Sequence, residues 1–313
     1  MAVTALALVA GVVLLAYAAD QFVLGAARVA LIRRVPSLVV GVVVIGFGTS
    51  APELLVSFLA ALDGQVEIAV GNVVGSNIAN LSMLLGLGAL IVPLTVSSST
   101  VRREAPLTVA AAVAFALAVQ GGGIAAWQGV ALIVFLGLAL WTVLRTQAPD
   151  PLGPEVEELA DGSQHSFATE IARTVAGLVG TVAGAQLLLW GAIDVADRAG
   201  LSEGFVGATL VAVGTSLPEL VTVVQSARRR ETDLIVGNLL GSNLFNALTV
   251  TGLAAVAAPA VLVDAANLTI VATAAALVVA LMAWVAMRTG YLVSRREGAI
   301  LIIAYLATVP FLT

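Results

Sequence analysis

Apolar runs broken by charges or by Gly/Pro clusters divide the chain into ten stretches: residues 3 to 27, 37 to 61, 67 to 93, 104 to 121, 124 to 145, 168 to 196, 204 to 227, 233 to 258, 266 to 288 and 297 to 312. Each approaches or exceeds the roughly 20 apolar residues with which a helix crosses the hydrocarbon core. The alternating strands of a membrane barrel, the other arrangement that satisfies its own backbone in lipid, are absent. The pattern predicts an all-α membrane protein with about ten transmembrane helices.

Composition narrows the chemistry. Hydrophobic residues make up 60% of the 313 and charged residues 11%, against roughly 25% charged in soluble domains. The mean hydropathy is +1.08, so little chain is left for a soluble domain. No cysteine is present, which excludes disulfide frameworks and thiolate chemistry. The single histidine, His165, lies outside the apolar runs, which excludes paired-histidine metal sites inside the membrane. A net charge of −5 carries no nucleic-acid footprint.

The 14 basic residues are all arginine, and their positions predict sidedness. Arg28, Arg33 and Arg34 follow the first run, and Arg102 and Arg103 the third. Arg145 and Arg173 flank a polar stretch. Arg228, Arg229 and Arg230 follow the seventh run, and Arg288, Arg295 and Arg296 surround the last connection. Thus 13 of 14 fall at odd-numbered connections, with Arg198 the exception. The positive-inside rule makes those connections cytoplasmic and leaves both termini outside. The opening run, MAVTALALVAGVVLLAYAAD, lacks the charged start of a signal peptide and reads as a retained first helix.

The polar stretch TQAPDPLGPEVEELADGSQHS carries Asp150, Glu155, Glu157, Glu158 and Asp161 with three prolines. It reads as an acidic cytoplasmic linker. A calcium-sensing role is the sharper alternative, but the stretch is short and lacks an EF-hand ligand pattern. The expected organisation is a first repeat at 1–145, a linker at 146–167 and a second repeat at 168–313.

The division into repeats rests on self-similarity. Residues 48 to 87 begin GTSAPEL and continue to VGNVVGSNIAN, and residues 214 to 253 begin GTSLPEL and continue to VGNLLGSNLFN. At a constant offset of 166, 16 of the 40 positions are identical, concentrated at polar, Gly and Pro positions that lipid composition does not supply. Five spans separate each helix from its counterpart, and an odd number reverses the direction of crossing. The chain therefore reads as two inverted five-helix repeats, the architecture of secondary transporters with a site at the repeat interface.

Glu53 and Glu219 are the acids well inside the second and seventh spans. A charge at a helix centre costs about 2.5–3.5 kcal/mol on the insertion scale, so each needs compensation. A protonated carboxyl in a polar bundle would explain burial, but not the recurrence of the glutamate within one signature. Facing carboxylates with hydroxyls and carbonyls form a hard-oxygen site suited to calcium and, with rearrangement, sodium. Pro52 and Pro218 free backbone oxygens around Gly48 and Gly214. Thr49 and Ser50, like Thr215 and Ser216, precede their glutamate by four and three residues and share its face. Asn72, Ser76 and Asn80 form a column repeated by Asn238, Ser242 and Asn246.

Helix packing is the competing role for these polar and small residues. It applies to the columns and to Asn77 and Asn243, while Gly71, Gly75, Gly237 and Gly241 suit close helix approach better than ligation. Asp20 and Asp194 close similar runs, LLAYAAD and LLLWGAID, and read as residues near a membrane face more than as parts of an ion path.

GTSAPE with GNVVGSNIAN, and GTSLPE with GNLLGSNLFN, resemble the two α-repeats of the sodium/calcium exchangers in the cation/calcium antiporter superfamily. The resemblance implies ten helices, an outside N-terminus and a central site facing each side in turn. It implies Glu53 and Glu219 as calcium carboxylates, completed by the backbone carbonyls of Thr49 and Thr215. It implies sodium binding through Ser50, Ser76, Ser216 and Ser242, the threonines, and the backbone of Gly46 and Ala212. Asn80 and Asn246 would border the centre. Some members carry aspartate in place of Asn246, including potassium-dependent exchangers, so asparagine here argues against potassium dependence. Neither GN motif carries the histidine usual in the proton-coupled branch.

The expected activity is exchange of Ca2+ for Na+ by alternating access, with electrogenic calcium extrusion across the cytoplasmic membrane. The chain is expected to be a transporter and not an enzyme. Ca2+ and Na+ would be its substrates and the lipid bilayer its surroundings, with no resident cofactor, nucleic acid or obligatory protein partner. A Ca2+/H+ antiporter is the near rival, since either glutamate can be neutralised by a proton. A cation channel is more distant because selectivity rings usually come from several subunits. An intramembrane hydrolase lacks a histidine base in the spans.

Overall fold

The computed structural model describes residues 2–33, 37–62, 66–120, 123–145, 166–198, 212–257, 260–261 and 266–308. Residues 146–165 of the 146–167 linker, His165 among them, Arg34, and residues 204–211 of the seventh apolar run lie outside them.

Ten helices account for most of the described chain. α1 is Ala2–Arg33. α2 runs through Ser37–Val40, a wide-turn segment Gly41–Ile45, Gly46–Thr49 and Ala51–Leu62. α3 joins Val66–Ala79, the wide-turn segment Asn80–Leu84 and Leu85–Ile91. α4 is Glu104–Val119, α5 Ala126–Arg145 and α6 Phe167–Arg198. α7 comprises Ala212–Thr215 and Leu217–Arg228. α8 joins Thr232–Leu244, the wide-turn segment Phe245–Val250 and Thr251–Ala257. α9 is Ala266–Arg288 and α10 Arg295–Thr308. Among the described residues, six helices are long and apolar enough to cross a membrane, and the bent α2 makes a seventh.

The first and sixth spans are longer than the hydropathy runs at 3–27 and 168–196. Each is a 32-residue helix, about 48 Å at 1.5 Å per residue and longer than the hydrocarbon core. Arg28 and Arg33 thus belong to α1 rather than to the connection after it. They are accommodated because the Arg28 Nη1 lies 3.4 Å from Glu170 Oε1 and the Arg33 guanidinium stacks 4.0 Å over the Phe167 ring. A basic last turn also complements the helix dipole.

The inverted repeat is visible in the packing. α10 lies on the second half of α3, and α5 on the second half of α8. Glycines permit both contacts: a Cβ on Gly86 would stand 2.5 Å from the Gly298 carbonyl oxygen, and one on Gly252 would stand 2.9 Å from that of Gly129. Gly86 and Gly252 are 166 residues apart, so one close approach is used twice. α4 and α9 pack on each other.

Two short antiparallel strand pairs tie the connections together. β1 (Leu94–Thr95), between α3 and α4, pairs with β4 (Leu292–Val293), between α9 and α10. β2 (Gly123–Ile124), between α4 and α5, pairs with β3 (Ala260–Val261), between α8 and α9. Each pair joins connections of the same parity, consistent with two opposite faces. α3 and α8 are largely buried, while Leu6, Val13, Trp127, Leu138, Val285 and Ile303 are among the apolar side chains exposed on outer helices. Such a surface suits lipid.

Candidate ion-binding site

α2 and α7 break at the same place in their repeats. Ser50 has φ −80°, ψ 3° and Ser216 has φ −87°, ψ 5°, after which the helix resumes with Pro52 or Pro218 in its first turn. Proline lacks the N–H that would bind the carbonyl four residues back. In α2 the two parts meet at 45°. Glu53 and Glu219 therefore stand near helix N-termini, where aligned N–H groups favour negative charge.

The two halves are cross-linked by these side chains. Ser50 Oγ donates to Glu219 Oε1 at 3.3 Å, and Ser216 Oγ donates to Glu53 Oε1 at 3.2 Å. Each carboxylate is thus held by a hydroxyl of the other repeat. Thr49 Oγ1 lies 3.1 Å from Asn238 Oδ1, and Thr215 Oγ1 lies 3.5 Å from Asn72 Oδ1, so the threonines repeat the exchange. Ser242 Oγ donates to the Gly46 carbonyl at 3.2 Å, and Ser216 Oγ lies 3.5 Å from Ser76 Oγ. Glu53, Glu219, Thr49, Thr215, Ser242 and Asn246 have no exposed surface, and Ser50, Ser76, Ser216 and Asn80 are buried.

Several oxygens remain without hydrogen-bond partners: Glu53 Oε2, Glu219 Oε2, Asn80 Oδ1 and Asn246 Oδ1 are all buried in this state. Burying such an acceptor without compensation is costly. Asp20, Glu170 and Asp194 form ion pairs with arginine, and among the described residues neither of these glutamates does. A desolvated cation attracted to carboxylate, hydroxyl and amide oxygens fits this chemistry.

A family model described as "Sodium/calcium exchanger protein" matches residues 3–145 and 170–313. The chain belongs to the sodium/calcium exchanger family. It is 36% identical to the putative antiporter CaxA of Alkalimonas amylolytica over 316 residues, covering 98% of this chain and 97% of that one. It is 29% identical to the sodium/calcium exchanger MaX1 of Methanosarcina acetivorans over 339 residues, covering 96% of each. Its fold matches the solved sodium-calcium exchanger NCX_Mj soaked with 100 mM Na+ and 10 mM Sr2+, with a TM-score of 0.86, 27% identity and 98% of each chain covered.

In this exchanger-family chain the two repeats meet at the predicted polar signature. Gly46 contributes a carbonyl to Ser242, while Ala212 opens the described part of α7, three residues before Thr215. Gly237 and Gly241 have the close-approach role: Cβ atoms there would fall 2.6 Å from the Leu38 carbonyl oxygen and 2.4 Å from that of Val42. Gly71 and Gly75 meet nothing within 4 Å among the described residues.

Three features escaped the motif reading. Ser57 accepts from Asn72 Nδ2 at 2.9 Å, and Thr222 accepts from Asn238 Nδ2 at 3.0 Å, fixing the amides that face the threonines. Their spacing of four and three residues from Glu53 and Glu219 was the available signal. Asn243 accepts from Asn80 at 3.1 Å and donates to the Asn77 carbonyl at 3.2 Å, joining the repeats beside the centre. Finally, Asn80 and Asn246 sit in wide-turn segments, which recur at functional sites and which periodicity alone does not reveal.

The contacts of Asp20 and Asp194 do not include the central carboxylates. Asp20 pairs with Arg229 at 2.6 Å. Asp194 pairs with Arg198 at 2.8 Å and accepts from Thr4 Oγ1 at 2.5 Å. Arg198, the exception in the arginine distribution, thus has its own carboxylate partner.

Proposed function

We propose that this chain exchanges Ca2+ for Na+ by alternating access across the cell membrane, with its odd-numbered connections in the cytoplasm and both termini outside. The observation that carries the reading is the reciprocal Ser50–Glu219 and Ser216–Glu53 arrangement, with a second buried oxygen of each carboxylate left unpartnered. A cation drawing on both glutamates binds both repeats at once. Calcium would bind Glu53 and Glu219 with the carbonyls of Thr49 and Thr215. Sodium would bind through Ser50, Ser76, Ser216 and Ser242 with the carbonyls of Gly46 and Ala212, beside Asn80 and Asn246.

Charge gives the reason for exchange instead of leak. Two carboxylates balance one Ca2+ or two Na+, whereas a third Na+ leaves an excess positive charge and makes transport sense membrane potential. Turning the site over empty would carry unpaired carboxylates through low dielectric, at a cost of several kcal/mol per ion. A loaded site avoids that penalty. Sodium entering down its gradient then drives calcium out, and more than two sodium ions per calcium would make the exchange electrogenic.

The test is calcium uptake by vesicles containing the full chain, under an imposed sodium gradient and then an imposed proton gradient. Sodium-driven uptake that generates a potential is expected. Uptake driven by protons and indifferent to sodium would replace this reading with Ca2+/H+ antiport.

A further inference from the structure

A ribbon of alternating charge connects α7 through α1 to α6. Arg229, just beyond α7, donates to Asp20 Oδ1 through Nη2 at 2.6 Å and Nε at 3.1 Å. Asp20 also accepts from Gln21 Nε2 at 3.3 Å, and Gln21 Oε1 accepts from Arg173 Nη1 at 2.5 Å. Arg173 Nε and Arg28 Nη1 then reach the two oxygens of Glu170 at 3.0 and 3.4 Å. Beside the first link, Gln225 Nε2 donates to the Ala16 carbonyl at 3.3 Å.

The placement is asymmetric along α1. α1 packs chiefly on α6, and its other large contact is α7. In the half of α1 that runs on to its arginines, the ribbon ties this pair to α7, the helix that carries Glu219. At its opposite end the Thr4–Asp194 contact stays within the α1–α6 pair. The Arg229 and Asp20 side chains are 22% and 32% exposed. Partly hydrated ion pairs contribute modestly, which suits a contact that forms and breaks.

We propose that Asp20 and Arg229 form a latch that closes the arginine-rich side of the central site and releases when that side opens. They are positioning residues: their ion pair holds α1 against α7, and neither belongs to the carboxylate cluster. The proposal rests on the alternating-access reading, but not on the identity of the cargo. Breaking the latch removes a favourable interaction from the closed state and shifts the population toward the open one. Restoring opposite charges in swapped positions returns it.

The absence of cysteine permits paired spin labels at Tyr17→Cys and Arg228→Cys, both exposed, in the full chain reconstituted in liposomes. Inter-label distances are measured in sodium for the labelled parent, Asp20→Asn, Arg229→Gln and the Asp20→Arg/Arg229→Asp swap. Each single substitution is expected to raise the longer-distance population about 2- to 5-fold, and the swap to reverse much of that rise. A distribution unchanged by Arg229→Gln, or a swap with the summed effect of two disruptions, would overturn the latch. Distance changes of the expected kind without sodium-driven calcium uptake would support the latch and reject the cargo assignment instead.

Discussion

The central site and the rim of α1 and α6 both hold acidic groups, but they treat them in opposite ways. At the rim, Asp20, Glu170 and Asp194 each meet arginine. At the centre, Glu53 and Glu219 meet serine hydroxyls from the opposite repeat, and one oxygen of each has no partner. Compensation supplied by an arginine comes from the chain itself. At the centre it is incomplete, which is the property that the proposed exchange of cations would use.

The largest effect is expected at the glutamates. Glu53→Gln or Glu219→Gln is expected to reduce exchange by at least about 100-fold, beyond the roughly 10- to 100-fold typical of a group that only orients a metal ligand. The cation-free protein should keep or gain thermal stability, because neutralisation removes an uncompensated buried charge. Flux assays and thermal unfolding without calcium check the two signs. Near-normal exchange would exclude these groups as essential ligands.

A smaller effect sharpens the symmetry of the centre. Ser50→Ala and Ser216→Ala each remove one donor to a carboxylate across the repeat interface. Each should weaken sodium activation of exchange by about 10-fold, with the two effects of similar size. Titrating the sodium dependence of calcium flux measures both. An effect from one serine alone would show that the repeats, though similar in geometry, divide the work unequally.

The smallest effect belongs to the rim. Asp194→Asn should leave exchange close to the parent, since its partners are Arg198 and Thr4. A large transport defect at neutral pH would place Asp194 in the ion path after all.

Much of the central site was legible because the signature occurs twice. Glu53 and Glu219, with Thr49, Ser50, Thr215 and Ser216, stand out from apolar surroundings, and the constant offset supplied their pairing. Helix lengths were less legible. Hydropathy stopped the first run at 27, yet α1 continues to Arg33 because ionic and aromatic partners on another helix accommodate its arginines. A window along one segment contains no information about a counterion 142 residues away.

By itself, the sequence determined the membrane class, the inverted repeat and the acids that need an explanation. These follow from hydropathy, the parity of spans and the cost of charge in lipid. Only the tertiary structure decided which acids are neutralised by arginine and which face the opposite repeat. It also decided that Ser57, Thr222 and Asn243 orient the polar groups, and that wide turns carry Asn80 and Asn246. Those assignments depend on distances between helices remote in the chain, where a few ångströms separate an acid paired with arginine from one whose oxygen has no partner.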